Sequence, residues 1–269
     1  MPRRKPELTV SEFTFAYNFL HEHHTMFQGN LIAAPILPSL FGESELGFDA
    51  CLPTSAACFF FQFKRSYFIT RQHPRRRNRQ PPPYAAPFYR IYLHRKGDYN
   101  QHFLLKGWSG LFRTTYYVAP QINDNATYYQ AARAGVSWMC SRSIPVNQLN
   151  EQFTRTDNEQ HFIEFKESVD DPLICSDFPI PIKKSIKGNN LKEVYLRQRK
   201  WPIDNLTRYL AEKTYSFITE HWADKTTNQI EKVSISDNPQ KQEIIKSLLY
   251  SSNLLSAYLG IVPVLVGER

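Results

Sequence analysis

No apolar run in this chain approaches the roughly 18 residues that suggest a bilayer span. The longest, Ala257 to Gly267, is too short and is interrupted by Pro263. Met-Pro-Arg-Arg-Lys-Pro-Glu opens the sequence with charge and no apolar segment behind it, so a secretory signal is not expected. Cysteine is scarce. Cys51, Cys58, Cys140 and Cys175 make no CxxC pair and no disulfide-framework spacing, and a reducing cytoplasm is the simplest home. Glycine is scarce too, ten residues in all, and none builds a GxGxxG or Walker-type loop that would cradle a nucleotide. There is no GxSxG elbow, and no Ser or Cys stands in a recognisable triad context. An H-x-E motif followed by P-C-x-x-C is also missing, so a zinc deaminase has no support.

One absence is local. Between Asp49 and Asp98 no acidic residue occurs, while Lys64, Arg65, Arg71, Arg75, Arg76, Arg77, Arg79, Arg90, Arg95 and Lys96 all fall there. The net charge of +8 is therefore concentrated in one segment of a slightly acidic chain. Such a field attracts polyanions, with nucleic acid the commonest partner. The blander alternative is a solvated loop whose arginines serve solubility. Pro74, Pro81, Pro82, Pro83 and Pro87 favour a loop either way, because proline excludes helix interiors and central strands.

What is present is enough for a core. Hydrophobic residues make up 42% and aromatics 14% of 269 residues, which excludes global disorder. The spacing predicts a first helix from about Val10 to Met26, with Phe13, Ala16, Tyr17 and Leu20 as one apolar stripe. Thr9 and Glu12 fit a capping box. Leu31 to Leu37 reads as a strand broken by proline. Leu46–Leu52 and Cys58–Arg65 read as the arms of a hairpin turning at Pro53-Thr54-Ser55-Ala56. Strand alternation puts Phe59, Phe61 and Phe63 on one face and Cys58, Phe60, Gln62 and Lys64 on the other. A turn centred between residues 55 and 56 sets Asp49 opposite Gln62, which gathers Asp49, Gln62 and Lys64 on one surface.

Further along, Phe88–His94 reads as a strand. Asp98 and Gln101 open a helix to about Phe112, with Leu104, Leu105, Trp108 and Leu111 buried. Thr114–Ala119 is a strand, Asn123–Ala134 a helix, and Val136–Val146 contains a further strand. Strands are expected near His161–Phe165 and Phe178–Ile182, and helices near Ile203–Trp222 and Gln240–Leu259.

The order helix, strand, hairpin, helix, strand, with Asp49 followed by Gln62-Phe63-Lys64 on the hairpin, resembles the PD-(D/E)XK restriction-endonuclease-like superfamily. The branch it resembles is the Gln-x-Lys variant of Mrr-like enzymes. The resemblance covers about residues 8–120. It implies an α/β fold with a restriction-endonuclease-like core (helix, mixed central sheet, helix) over residues 8–146, with residues 71–87 as a basic Pro/Arg-rich insertion. Residues 147–269 would form a mixed α/β C-terminal extension that completes the core or binds a partner subunit or second copy. It also implies a magnesium-dependent endonuclease, with manganese as a substitute, acting on nucleic acid, DNA first, in defence against foreign DNA.

By residue, the resemblance makes Asp49, Gln62, Lys64 and Glu12 the catalytic set. Asp49, the backbone carbonyl of Phe63 and Glu12 would hold the metal. Hydrolysis of a phosphodiester needs a metal to shield the phosphate and supply hydroxide, and Lys64 would offset developing negative charge. Gln62 departs from the family's Glu and brings no charge, so Glu12, Glu43 or Glu45 would complete the site. Arg65, Arg71, Arg75, Arg76, Arg77 and Arg79 would follow the nucleic-acid backbone. Plainer roles stand beside these: an Asp49–Lys64 ion pair, Glu12 as a helix cap, and Gln62 as the mark of a non-catalytic nucleic-acid-binding or assembly subunit. His21 and His24 share a helix face and could bind zinc, against a solvated helix end.

Overall fold

A strand buried on both faces reads as a continuous apolar run rather than an alternating one, and Cys58, Phe59, Phe60 and Phe61 are such a run, broken by Gln62. The computed structural model describes residues 9–27, 31, 35–38, 47–54, 58–70, 84–93, 101–111, 114–149, 161–175 and 179–197. The helices expected near Ile203–Trp222 and Gln240–Leu259 lie outside them. In chain order the described elements are α1 (Glu12–Phe27), β1 (Ala50–Pro53), β2 (Cys58–Phe63), β3 (Tyr67–Ile69), β4 (Phe88–Tyr92) and α2 (Gln101–Leu111). There follow β5 (Thr115–Pro120), α3 (Asn125–Arg133), β6 (Ser141–Pro145), β7 (Phe162–Phe165), β8 (Leu173–Cys175), β9 (Pro179–Pro181), β10 (Ile186–Lys187) and α4 (Gly188–Arg197). The fold is mixed α/β with two five-stranded sheets.

The first sheet runs β1-β2-β5-β6-β10 and contains one parallel pair, β2 with β5. Helix α2 lies in the crossover between those two strands, as parallel neighbours require. The hairpin register is the expected one: Ala50 faces Phe61 and Pro53 faces Cys58. Leu31 bridges Thr54 and Ile36 bridges Cys51 of β1, and residues 32–34 of the expected strand lie outside the described residues. The second sheet, β3-β4-β7-β8-β9, is antiparallel throughout. It takes strands from both sides of residue 147, because β4 pairs with β7. A division of the chain there would cut this sheet in two.

The first sheet is the middle layer. On one face Ala50, Leu52, Phe59, Phe61, Phe63, Tyr116 and Val118 pack with Phe15, Phe19, Tyr128 and Leu191 from the helices. On the other, Cys51, Cys58, Phe60, Tyr117 and Ile144 pack with Leu105 and Trp108 of α2 and with Tyr89, Ile91, Ile163 and Phe165 of the second sheet. Phe60 stacks on Trp108 at 4.8 Å between ring centroids. The Gln62 and Lys64 face, expected as a surface, is therefore covered: Gln62 is 1% and Lys64 5% exposed.

Helix α1 buries only part of the expected stripe: Leu20 is buried and Ala16 packs against the core. Phe13 is 80% and Tyr17 61% exposed, while Phe15 and Phe19 are buried. Both stripes have helical spacing, and the strand decides between them: Phe15 and Phe19 meet Phe61 and Phe63 edge-to-face. The cap moves as well. Ser11 Oγ accepts from the Thr14 amide at 3.0 Å, Thr9 turns to Asn125, and Glu12 is released toward the sheet. At the far end of α1 His21 stays exposed, but Glu22 and His23 turn inward. Glu22 is buried and accepts from Ser137 Oγ and the Trp138 amide at 2.9 Å each. His23 is buried, stacked on Phe19 and donating to its carbonyl.

Arg142 of β6 joins the two sheets. Its guanidinium donates to the carbonyls of Lys166, Val169 and Asp170 and to Ser185 Oγ, closing the β7–β8 connection onto the first sheet.

Candidate functional site

The site forms where β1 stops and β2 continues. The two strands pair up to Ala50 and Phe61, and the Asp49 amide still donates to the Phe61 carbonyl at 2.9 Å. Beyond that point β2 presents edge N–H groups with no strand opposite, and an edge N–H must find an acceptor. Two carboxylates supply it. Asp49 Oδ2 accepts from the Phe63 amide at 2.6 Å, and Glu12 Oε2 accepts from the Arg65 amide at 2.7 Å. Phe63 and Arg65 are two residues apart on one strand edge, so their N–H groups lie about 7 Å apart. Glu12 arrives from α1 and Asp49 from the neighbouring chain.

Gln62 faces Asp49 across the hairpin. Its Nε2 donates to Asp49 Oδ1 and Oδ2 at 2.8 Å each and lies 3.4 Å from the Phe63 carbonyl. Its Oε1 is buried and has no hydrogen-bond partner. Lys64, on the same face of β2, donates from its backbone to the Val118 carbonyl and from Nζ to Gln101 Oε1 at 2.9 Å. Gln101 opens α2. Its approach depends on Gly47, whose φ is +77° and where a Cβ would lie 2.9 Å from the Gln101 carbonyl and 2.8 Å from Leu104 Cβ. Only glycine suits both the backbone conformation and the contact.

Of the four expected residues Asp49 and Gln62 are in contact, while Glu12 binds the Arg65 amide and Lys64 binds Gln101 on the same stretch of chain. Glu12 and Arg65 are 53 positions apart in the chain. Sequence reasoning gave Gln101 only a capping role; its contact with Lys64 depends on how α2 crosses the sheet. His102 beside it was missed. The ring stacks on Tyr117 with Nδ1 3.0 Å from the phenol oxygen. Burial, with Lys106 and His161 nearby, pushes its pKa down to about 3, so the imidazole is neutral. Arg65 stands at the site, its guanidinium 5.4 Å from the Tyr67 ring centroid. Glu43, Glu45, Arg71, Arg75, Arg76, Arg77 and Arg79 lie outside the described residues.

The oxygens on hand suit a hard cation that keeps several waters: the Asp49 carboxylate, the Phe63 carbonyl and Gln62 Oε1. In the present arrangement the Gln62 amide group gives its N–H donors to Asp49. A cation there would displace that contact, and the amide would turn over to offer Oε1. Among the described residues no three His, Cys, Asp or Glu side chains gather as a metal site, so such a cation would be held with little protein charge. His21 stacks on Tyr17.

Comparison with protein-family models, with curated proteins and with solved structures finds no match to this chain. No helix among the described residues is long and apolar enough to cross a membrane.

Proposed function

We propose that this chain is a metal-dependent nuclease of the PD-(D/E)XK kind, in its Gln-x-Lys form, cleaving phosphodiester bonds of nucleic acid, DNA first. The observation that carries this reading is the contact of Asp49 with Gln62 and the Phe63 amide, with Glu12 on the Arg65 amide and Lys64 between them in the chain. The element order supports it: helix, a bridged segment, an antiparallel hairpin, a crossover helix and a strand parallel to the second arm, with β3 and β4 of the second sheet inserted before the crossover helix. In this reading Asp49, Gln62 Oε1 and the Phe63 carbonyl would hold magnesium, which would supply charge to shield the scissile phosphate and make hydroxide available near neutral pH. Glu12 adds negative charge beside the site. Lys64, held by Gln101, faces the charge that develops on the phosphate. Defence against foreign DNA is the setting that the resemblance suggests.

A second reading has its own observation. The two N–H···O contacts from Gln62 to Asp49 close the site with a neutral amide, as a non-catalytic nucleic-acid-binding or assembly subunit would allow. Plasmid cleavage in magnesium decides between them. Wild-type protein should nick or linearise the plasmid, and Asp49→Asn and Lys64→Ala should not, with unchanged circular dichroism. Asp49→Asn retains an acceptor for the Phe63 amide and is the better test of chemistry than truncation. No cleavage by the wild type, with plasmid binding retained, would favour the second reading.

A further inference from the structure

Paired residues of antiparallel strands share a face, and this sorts the second sheet into two surfaces. Phe68, Tyr89, Ile91, Ile163 and Phe165 point into the core. The opposite face carries Tyr67 beside Arg90, Arg90 beside Glu164 and Tyr92 beside Phe162. Tyr67 is 38% and Tyr92 36% exposed. Their rings meet edge-to-face at 5.4 Å, and Tyr92 lies 6.3 Å from Phe162. Two guanidiniums complete the row. Arg65 lies over Tyr67 at 5.4 Å, and Arg90 lies 4.6 Å from the Phe162 centroid and 6.0 Å from that of Tyr92. Glu164, buried, holds Arg90 in place through Nε and Nη2.

We propose that this aromatic and guanidinium row is a stacking platform for the unpaired bases of a single-stranded nucleic acid running past Arg65. The proposal rests on the nucleic-acid reading above and adds the substrate's form. Every base has a π-face that can lie on tyrosine or on a guanidinium plane, but in a duplex those faces are already covered. The row starts beside the candidate site: Arg65 follows Lys64, and Tyr67 is three residues on, about 10 Å along extended chain. That is roughly three nucleotides of a stacked strand. Charge complementarity selects a nucleic acid over a neutral partner. Glu164 is the acidic group on this row and is committed to Arg90, while no Asp or Glu occurs in the chain from Ala50 to Gly97.

The test compares three labelled probes by fluorescence anisotropy in calcium, which suppresses cleavage: a thymidine 20-mer, an abasic strand of equal length and a duplex. Wild-type protein should bind the thymidine strand at least tenfold more tightly than the abasic strand. Tyr67→Ala with Tyr92→Ala should remove that preference, each ring accounting for about tenfold. Tyr67→Phe with Tyr92→Phe should keep it, since the rings remain. Equal binding of base-bearing and abasic strands by the wild type would overturn the platform while leaving a phosphate-binding nuclease intact. Equal weakening of all three probes in the Ala variant would overturn it too, as a loss of fold. Loss of self-association on sedimentation, with base preference unchanged, would give the face to a second copy of the chain. A retained base preference without cleavage in magnesium would remove the nuclease reading and keep the platform.

Discussion

The Gln62 amide nitrogen lies 2.8 Å from each oxygen of one carboxylate, Asp49, so a neutral amide stands where a cation would otherwise balance that charge. Gln62→Glu would set two carboxylates against each other there. At about 4 Å, and at the effective dielectric suited to proteins, two such charges repel by up to about 4 kcal/mol.

Gln62→Glu should therefore lower the melting temperature at pH 8 without divalent metal, and magnesium should restore it. The repulsion raises a carboxylate pKa, so the penalty is present at high pH and shrinks as pH falls and one group takes a proton. Thermal unfolding at pH 5 and pH 8, with and without magnesium, reads all of this. By titration calorimetry the Glu variant should bind magnesium more tightly than wild type, and Gln62→Ala more weakly. Magnesium that leaves the Glu variant's melting temperature unchanged would take Gln62 out of the metal shell.

The faces of α1 give a second prediction. Phe19→Ala should cost about 3–5 kcal/mol, because a buried ring is lost against Phe61 and Phe63. Phe13→Ala should change stability by less than about 0.5 kcal/mol, as an exposed position does. Urea unfolding of the two variants separates them, and equal losses would mean that α1 sits in another register on the sheet.

The same helix shows where the sequence was legible and where it was not. Local pattern gave α1, the hairpin and its register, because the turn and the alternation of Phe59, Phe61 and Phe63 are short-range. It could not choose between two helical stripes, since that choice is made by rings on β2 some forty residues away. Asp49, Gln62 and Lys64 were legible as a group through the same register. Gln101 was not, because its contact with Lys64 needs the crossing of α2 and the absence of a side chain at Gly47. Strands β3 and β8, of three residues each, carry too little pattern to read alone. The strands expected near Phe88–His94, His161–Phe165 and Phe178–Ile182 form as β4, β7 and β9 of the second sheet, so only β3 and β8 went unread.

Arg142 tests the join between the sheets. Its charge is buried among carbonyl dipoles, and burial holds its pKa below the ordinary arginine value. Arg142→Met keeps most of the volume but leaves the Lys166 and Val169 carbonyls without this donor. A loss of roughly 3 kcal/mol is expected, with the β7–β8 connection opening first. Hydrogen exchange should show faster exchange at Ile163 and Ile174 than in the first sheet. Uniform protection in both sheets would mean that Arg142 does not hold them together.

Two histidines, His23 buried and His102 half-buried, are expected to set the acid limit of the fold. Burial holds His23 down to about 4, against a smaller upward pull from the Phe19 carbonyl, and holds His102 down to about 3. Both are neutral in the folded chain, whereas the unfolded chain protonates them below its ordinary value near 6.5. Between pH 6.5 and about 4 the unfolded state thus binds more protons, and stability must fall as pH falls. Each histidine contributes a slope of up to about 1.4 kcal/mol per pH unit, and the stability is fully present only above pH 6.5. Urea midpoints at pH 7.5, 6.5, 5.5 and 5.0 should decline steeply below 6.5, before most carboxylates titrate. His23→Gln should remove about half of that slope, and His23→Gln with His102→Gln most of it, whatever each substitution does to the stability at pH 7.5. A wild-type midpoint that is flat from pH 6.5 to 5.0 would mean that these imidazoles take protons without unfolding, and that their surroundings are wetter than the packing of Phe19 and Tyr117 implies.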